Sequence, residues 1–270
     1  MFRKLVVSCL LLCAPLASAG RPALVQRKPV GAVPDVVKKT KGGAFGPLGA
    51  ISKKQAVMAG MLLAFNSGYS NGCCLGGGVV AGKNKNAVAA VTGAWTTSAL
   101  GFASGNMDAF TTQLKGILSY MSGSAIAGAL IPNPKPFVLA DNTGVAFLVG
   151  SALMLAASQM AEKSPAAMTC FFLALMANGL QNSVTSVHTA NLCRTAHFSG
   201  ITSDMGTFIG QCLMGNKENL FKLQTFALLG LSFWLGSYSS FFITQQMTSQ
   251  SLLFSSAVHF LVGAYLLLTK

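Results

Sequence analysis

The stretches FNSGYSNGCCLGGG at residues 65–78 and ANGLQNSVTSVHTANLCRTAHFSG at residues 177–200 decide how this chain is read. Both lie where apolar runs ought to be crossing something. The first puts Asn66, Ser67, Tyr69 and Asn71 among glycines, and the second carries Asn178, Gln181, Asn182, His188, Asn191, Arg194 and His197. Glycine lowers helix propensity, and amides need partners when they are kept from water. Broken backbone at membrane depth is tolerated only where protein covers it or water reaches it. Interrupted segments at corresponding places in two halves point to a binding site between those halves.

The surrounding chain sets the class. Of 270 residues, 52% are hydrophobic and 9% charged, against about a quarter charged in an ordinary soluble domain. Residues 1–54 hold ten of the 19 Lys and Arg and one acid, Asp35, so the apolar body is close to neutral. The net charge of +13 therefore belongs largely to the leader and argues against a nucleic-acid partner. The expectation is an all-α, polytopic membrane protein whose principal partner is the lipid bilayer. A homo-oligomer is compatible with it.

Residues 1–19 have the basic start, short apolar core and Ala17-Ser18-Ala19 ending of a secretory signal peptide. Residues 20–54 are basic, rich in Gly and Pro, and lack apolar periodicity, which reads as disordered or transit-like. A signal followed by a basic, acid-poor segment resembles the bipartite leader of proteins imported into algal plastids of secondary origin. A plastid membrane is one expected location, and the secretory pathway or plasma membrane the other.

Eight apolar segments follow, at roughly 55–72, 86–105, 113–131, 143–161, 166–183, 198–215, 223–243 and 251–269, and the last four echo the first four. Gly68 and Asn71 correspond to Gly179 and Asn182, and Thr92-Gly93 to Ser199-Gly200. Gly105-Asn106 with Asp108 corresponds to Gly215-Asn216 with Glu218, and Gly123-Ser124 to Gly236-Ser237. FLVG at 147–150 returns at 260–263. Landmarks kept in order across a whole chain predict an internal duplication, with repeats at 55–161 and 166–269. If the first two segments of each repeat make one discontinuous crossing, the chain crosses six times and the repeats are inverted. Lys53, Lys54, Lys135, Lys217, Lys222 and Lys270 would then share one side, against Lys115 and Lys163 on the other.

Arg194, His197 and Asp204 form the tight cluster of ionisable groups near membrane depth, a functional candidate because burial of charge is costly. If residues 197–204 are helical, His197 and Asp204 share a face and could take a cation or relay a proton. Mutual neutralisation that fixes a broken helix is the alternative. Asn71 and Asn182 could line a shared site or cap broken backbone. Asp108 and Glu218 read as acids at helix starts, and His188 and His259 as isolated, His259 as a satisfied helix-face residue. The expected substrate site joins Gly68, Asn71, Thr92, Gly93, Thr96, Gly179, Gln181, Asn182, Arg194, His197, Gly200, Thr202 and Asp204. It would serve a small solute and a coupling proton or cation held at Asp204. A structural or assembly protein of a membrane is the rival. HExxH and P-loop motifs are lacking, so no enzyme, metal or cofactor is expected.

The motifs ALMANGLQNSVTS, LCRTAHFSGITSDMG, FNSGYSNG and AAVTGAWTTSALG resemble the YoaK family of integral membrane proteins, a domain of unknown function. In the second half Gly179, Gln181, Asn182, Arg194, Thr195, Gly200, Thr202 and Asp204 fit the family pattern. In the first half Asn71 stands where an acid is common, and Ala94 where the motif has Asn. The resemblance spans most of residues 55–269 and implies about six membrane helices.

Overall fold

The computed structural model describes residues 49–77, 79, 85–163 and 168–269. The signal-like leader and nearly all of the basic segment lie outside the described residues. Among the described residues eight α-helices succeed one another: α1 Lys53–Gly76, α2 Thr92–Ala103, α3 Met107–Leu130, α4 Thr143–Lys163, α5 Thr169–His188, α6 Phe198–Leu213, α7 Leu220–Met247 and α8 Leu252–Leu268. A 3-10 turn at Thr248–Ser251 joins the last two. Among the described residues there are isolated bridges but no strand.

Local chemistry sets several of these boundaries. A capping box opens α1: Ser52 Oγ accepts from Gln55 N at 3.2 Å and Gln55 Oε1 accepts from Ser52 N at 2.9 Å. Gly77, at φ 78°, closes it. Asn106 caps α3 by accepting from Ala109 N, with Asp108 in the first turn where the helix dipole favours an acid. Asn216 Oδ1 accepts from Glu218 N at 3.0 Å in the corresponding turn. Gly105 and Gly215, which precede these asparagines, both have positive φ.

The polar stretches do not break their helices where the sequence suggested. Gly68–Asn71 lies inside continuous α1 and Gly179–Asn182 inside continuous α5. The interruptions come later, after Gly76 and after His188, and residues 86–91 are not helical. Several of the polar side chains stay in helix because they find partners on a neighbouring helix. The helix beyond each interruption is short: α2 has 12 residues and α6 has 16. At 1.5 Å per residue that is about 18 and 24 Å, less than the roughly 30 Å of a bilayer core.

Helix directions come from which residues meet. Gly60, Gly68 and Gly72 of α1 approach Leu229, Phe233 and Ser240 of α7, so these two run parallel. Gly116 and Gly123 of α3 approach Leu175 and Met176 of α5, and Ser124 reaches Gly179, so these run parallel as well. Against α5, α1 is antiparallel: Gln181 donates to Ser67 Oγ at 2.8 Å and Asn178 to Ser70 Oγ at 3.1 Å. α4 and α8 are antiparallel, with Gly144 on Gly263, Ser151 bonded to Ser256 at 3.0 Å and Ser158 to the Ser249 carbonyl at 2.9 Å. α8 also runs against α1, through Tyr69 to the Ser251 carbonyl and Asn66 to His259. Hence α1, α4 and α7 point one way, and α3, α5 and α8 the other.

Two glycine crossings hold the long helices together. A Cβ on Gly68 would collide with the Phe233 carbonyl oxygen, and one on Gly236 with that of Phe65. Ser237 Oγ donates to the Gly68 carbonyl at 2.9 Å. At the other crossing a Cβ on Gly179 would collide with the Tyr120 carbonyl, and one on Gly123 with that of Met176. Ser124 Oγ donates to the Gly179 carbonyl at 3.2 Å. Only a residue without a side chain lets two backbones come this close.

Two stretches, Thr143–Lys163 and Leu220–Leu268, are long and apolar enough to cross a membrane by length and composition. Large apolar side chains are also left outward: Trp95, Phe102, Leu213, Trp234, Phe241 and Leu261 are each more than half exposed. Apolar surface on this scale marks contact with something other than water. At one end of the bundle, Ile51 N donates to Phe137 O, Leu139 N to Gly49 O, and Phe137 N to His188 O. His188 bonds Val138 O through Nδ1 at 2.8 Å and Thr143 Oγ1 through Nε2 at 3.0 Å. Both of its nitrogens are thus used, and His188 is a structural fastening rather than an isolated residue.

Candidate functional site

Where α1 crosses α5 the apolar interior gives way to hydrogen-bonding side chains. Asn66, Ser67 and Ser70 face Asn178, Gln181 and Thr195, and none of the six is more than 1% exposed. Gln181 is the hub. Its Nε2 lies within hydrogen-bond distance of Leu63 O at 2.9 Å, Ser67 Oγ at 2.8 Å and Thr195 Oγ1 at 3.1 Å. Its Oε1 accepts from Asn66 Nδ2 at 3.0 Å. Asn178 accepts from Ser67 Oγ at 3.0 Å and donates to the Ala174 carbonyl of its own helix. His259 of α8 joins from the side, with Nδ1 3.2 Å from Asn66 Nδ2. The cluster carries no Asp, Glu, Lys or Arg, so its members are held by hydrogen bonds and not by ion pairs. Its burial closes it from both ends.

Three of its buried polar atoms, Asn66 Oδ1, Ser255 Oγ and His259 Nε2, have no hydrogen-bond partner. Such atoms are rare in folded proteins because each leaves a desolvation cost of about 1–3 kcal/mol.

The residues expected from the sequence fall into three groups. Gln181 sits at the hub, while Gly68 and Gly179 form the two close crossings beside it. Asn71 and Asn182 do not line the cluster. Asn71 Oδ1 accepts from Val88 N at 2.9 Å and Ala89 N at 3.1 Å, and Asn182 Oδ1 accepts from Ala196 N at 3.1 Å. Each holds the returning, non-helical chain against the helix just left, which is the capping alternative. Thr92, Gly93 and Thr96 lie on α2, and all three are exposed. Gly93 borders a cleft of about 250 Å³ lined also by Lys85, Asn86, Thr97 and Gln113.

The third group is the charged one. Arg194 and Asp204 are half-buried, and His197 and Thr202 are exposed, all in or near the start of α6. His197 is the N-cap residue rather than a helical one, and its ring folds over Gly200, with a guanidinium nitrogen of Arg194 close by. Among the described residues no ion pair joins Asp204 to Arg194 or His197, and this group lies outside the buried cluster. Thr202 Oγ1 donates to the Phe198 carbonyl in its own helix.

Sequence reasoning missed Asn66, Ser67, Ser70, Asn178, Thr195 and His259 as one group. The signal was available for Ser67, Ser70 and Asn178: Ser67 and Asn178 stand at the same offset as Gly68 and Gly179, and so do Ser70 and Gln181. Nothing in the sequence singled out His259, a lone histidine in an apolar run.

This is an all-helical protein with apolar outer flanks and a buried, uncharged polar centre. Its residues 59–265 match the model of the family described as "Protein of unknown function (DUF1275)", and the chain belongs to that family. No curated protein and no solved structure matches it.

Proposed function

We propose that this chain is a six-crossing membrane protein of two inverted repeats, and that it moves a small solute through a site between them. The observation that carries the reading is the sealed polar cluster at the α1–α5 crossing. Amides and hydroxyls at that depth are expensive to bury and, in transporters built from repeats, they mark the substrate path near the midplane. A solute taken there would be small and recognised through hydrogen bonds. The closed state of the cluster corresponds to an occluded conformation.

Matching contacts support the two repeats. The Gly68–Ser237 crossing has its counterpart in Gly179–Ser124, and the bond of Asn71 to the returning chain has its counterpart in Asn182. The pair Ser67–Gln181 exchanges into Asn178–Ser70 when each residue is replaced by its equivalent. Inversion is supported by direction, since the equivalent helices α1 and α5, and α4 and α8, run antiparallel. The alternation of α1, α3, α4, α5, α7 and α8 is what a chain crossing six times requires. The short α2 and α6 then each return the chain to the surface it has just reached, at opposite ends, without crossing. Lys53, Lys54, Lys135, Lys217 and Lys222 fall at the same end, which the positive-inside rule assigns to the cytoplasmic or equivalent side.

The test has two arms. Single cysteines beside Asp108 and Glu218, in a cysteine-free background, are labelled in sealed vesicles with an impermeant thiol reagent. Opposite sides are expected, and labelling from the same side rules out inverted repeats. Purified protein in liposomes is then assayed for uptake of radiolabelled small polar solutes, with Gln181→Leu as control. Uptake that Gln181→Leu abolishes is expected. If uptake is no faster than through empty liposomes across neutral amides, polyols and amino acids, the chain is a structural membrane protein.

A further inference from the structure

Hydrogen-bond orientation at the centre is fixed by an atom that can only accept. Gln181 Nε2 lies 2.9 Å from the Leu63 carbonyl, so the Gln181 atom facing Asn66 is its oxygen, and Asn66 must answer with Nδ2. That same Nδ2 lies 3.2 Å from His259 Nδ1. Yet His259 Nδ1 is also 2.8 Å from the Ser255 carbonyl oxygen. A bare Nδ1 accepts from Asn66 but sets a lone pair against Ser255. A protonated Nδ1 donates to Ser255 but sets its N–H against that of Asn66. The neutral ring cannot satisfy both neighbours, whichever tautomer it takes.

The unpartnered atoms lie around this conflict: His259 Nε2 on the other edge of the ring, Asn66 Oδ1 on the same amide, and Ser255 Oγ one turn back along α8. There is no room for a bound molecule beside the ring. A Cβ on Gly150 would lie 2.8 Å from His259 Cδ2 and 3.3 Å from Nε2, and His259 is fully buried. A group of spare acceptors without space suits one cation, the proton, which needs no cavity.

We propose that His259 is a proton-binding site, and that loading it breaks the Asn66–Gln181 bond between α1 and α5. This rests on the transporter reading and names its coupling ion. The proton adds to the bare ring nitrogen, leaving both nitrogens as N–H. Nδ1–H then donates to the Ser255 carbonyl, and the Asn66 amide turns away from it. The turned amide sets its Oδ1 where Nδ2 had been, so that Asn66 and Ser255 share the Nδ1–H as acceptors. In turning it gives up the Asn66–Gln181 bond that spans the crossing. The first half has Ala146 at the position equivalent to His259, so the proton site is single where the scaffold is doubled.

Few other ionisable groups share these interfaces. α1 brings Tyr69, whose hydroxyl donates to the Ser251 carbonyl, with Cys73 and Cys74 beyond it. α4 presents Phe147, Gly150, Ser151 and Met154, with Glu162 and Lys163 only at its far end. α8 itself adds Tyr265, which is exposed.

The test uses the full chain in nanodiscs, with histidine ring nitrogens labelled for NMR and titrated from about pH 8 to about pH 5. His188→Ala and His197→Ala assign the other two rings by loss, so that His259 itself stays unaltered. We expect the His259 ring to pass from one neutral tautomer to the doubly protonated form, with the Asn66 side-chain amide changing over the same midpoint. A His259 ring that keeps one neutral tautomer throughout overturns the proposal. So does a ring that titrates without moving the Asn66 signals. Loop sidedness and solute uptake do not depend on this result, so the transporter reading can survive its failure.

Discussion

The first half of the body, α1 to α4, and the second, α5 to α8, share several contacts and differ in chemistry. Gly68 meets Phe233 as Gly179 meets Tyr120, and Asn71 holds its returning chain as Asn182 does. Yet the second half alone has Arg194 and His259, whose first-half counterparts are apolar. Close helix approach constrains both halves equally, because a side chain at either glycine strikes a carbonyl. A polar group beside that frame is under no such constraint and can be present on one side only.

The likeness breaks most visibly at the crossings. Gly68→Leu and Gly123→Leu should each cost more than about 3 kcal/mol, read as loss of monodisperse protein after detergent extraction. A well-folded Gly68→Leu protein would mean that α1 and α7 do not meet. Next in size, Gln181→Ala strands Asn66 and Ser67 and should cost about 1–2 kcal/mol, measured by reversible unfolding in mixed micelles. An effect near zero would mean that Gln181 is no hub. Asn71→Ala and Asn182→Ala sharpen the likeness further. Each should cost about 1 kcal/mol, Asn71 the more because it accepts two N–H groups to the one of Asn182. A harmless Asn71→Ala beside a damaging Asn182→Ala would separate the halves. Smallest is Gly230→Ala, where the added carbon meets nothing within 4 Å. It should cost nothing and can add up to about 1 kcal/mol through helix propensity, as an internal check on the crossing glycines.

The glycine pairs are legible in the sequence because close approach leaves only one residue type that fits, at positions that recur in order. The helix ends are less so. Asn66, Ser67, Asn178 and Gln181 look like breaks, since a one-dimensional reading sees polar groups in an apolar run but not the partners on another helix that satisfy them. Asn71 and Asn182 stand out in the sequence with two roles open to them, and their geometry selects capping. The charged trio stands out through its charge, although its members lie toward the start of α6, outside the buried network. His259 does not stand out, because a single histidine among Val258, Phe260 and Leu261 carries no pattern; only its unshared nitrogen, visible in three dimensions, sets it apart.

The parallel pairing of α1 with α7 bears on how the molecule is made. The partner of α1 is synthesised near the end of the chain, whereas α5 finds α3 soon after it emerges. Until α7 arrives, the glycine face of α1 has no helix to close upon and stays uncovered. The two halves are therefore interlocked, each supplying the helix that completes the other. A first half expressed alone would lack the mate of its own opening helix, and two separately made halves would have to find each other before either could finish folding.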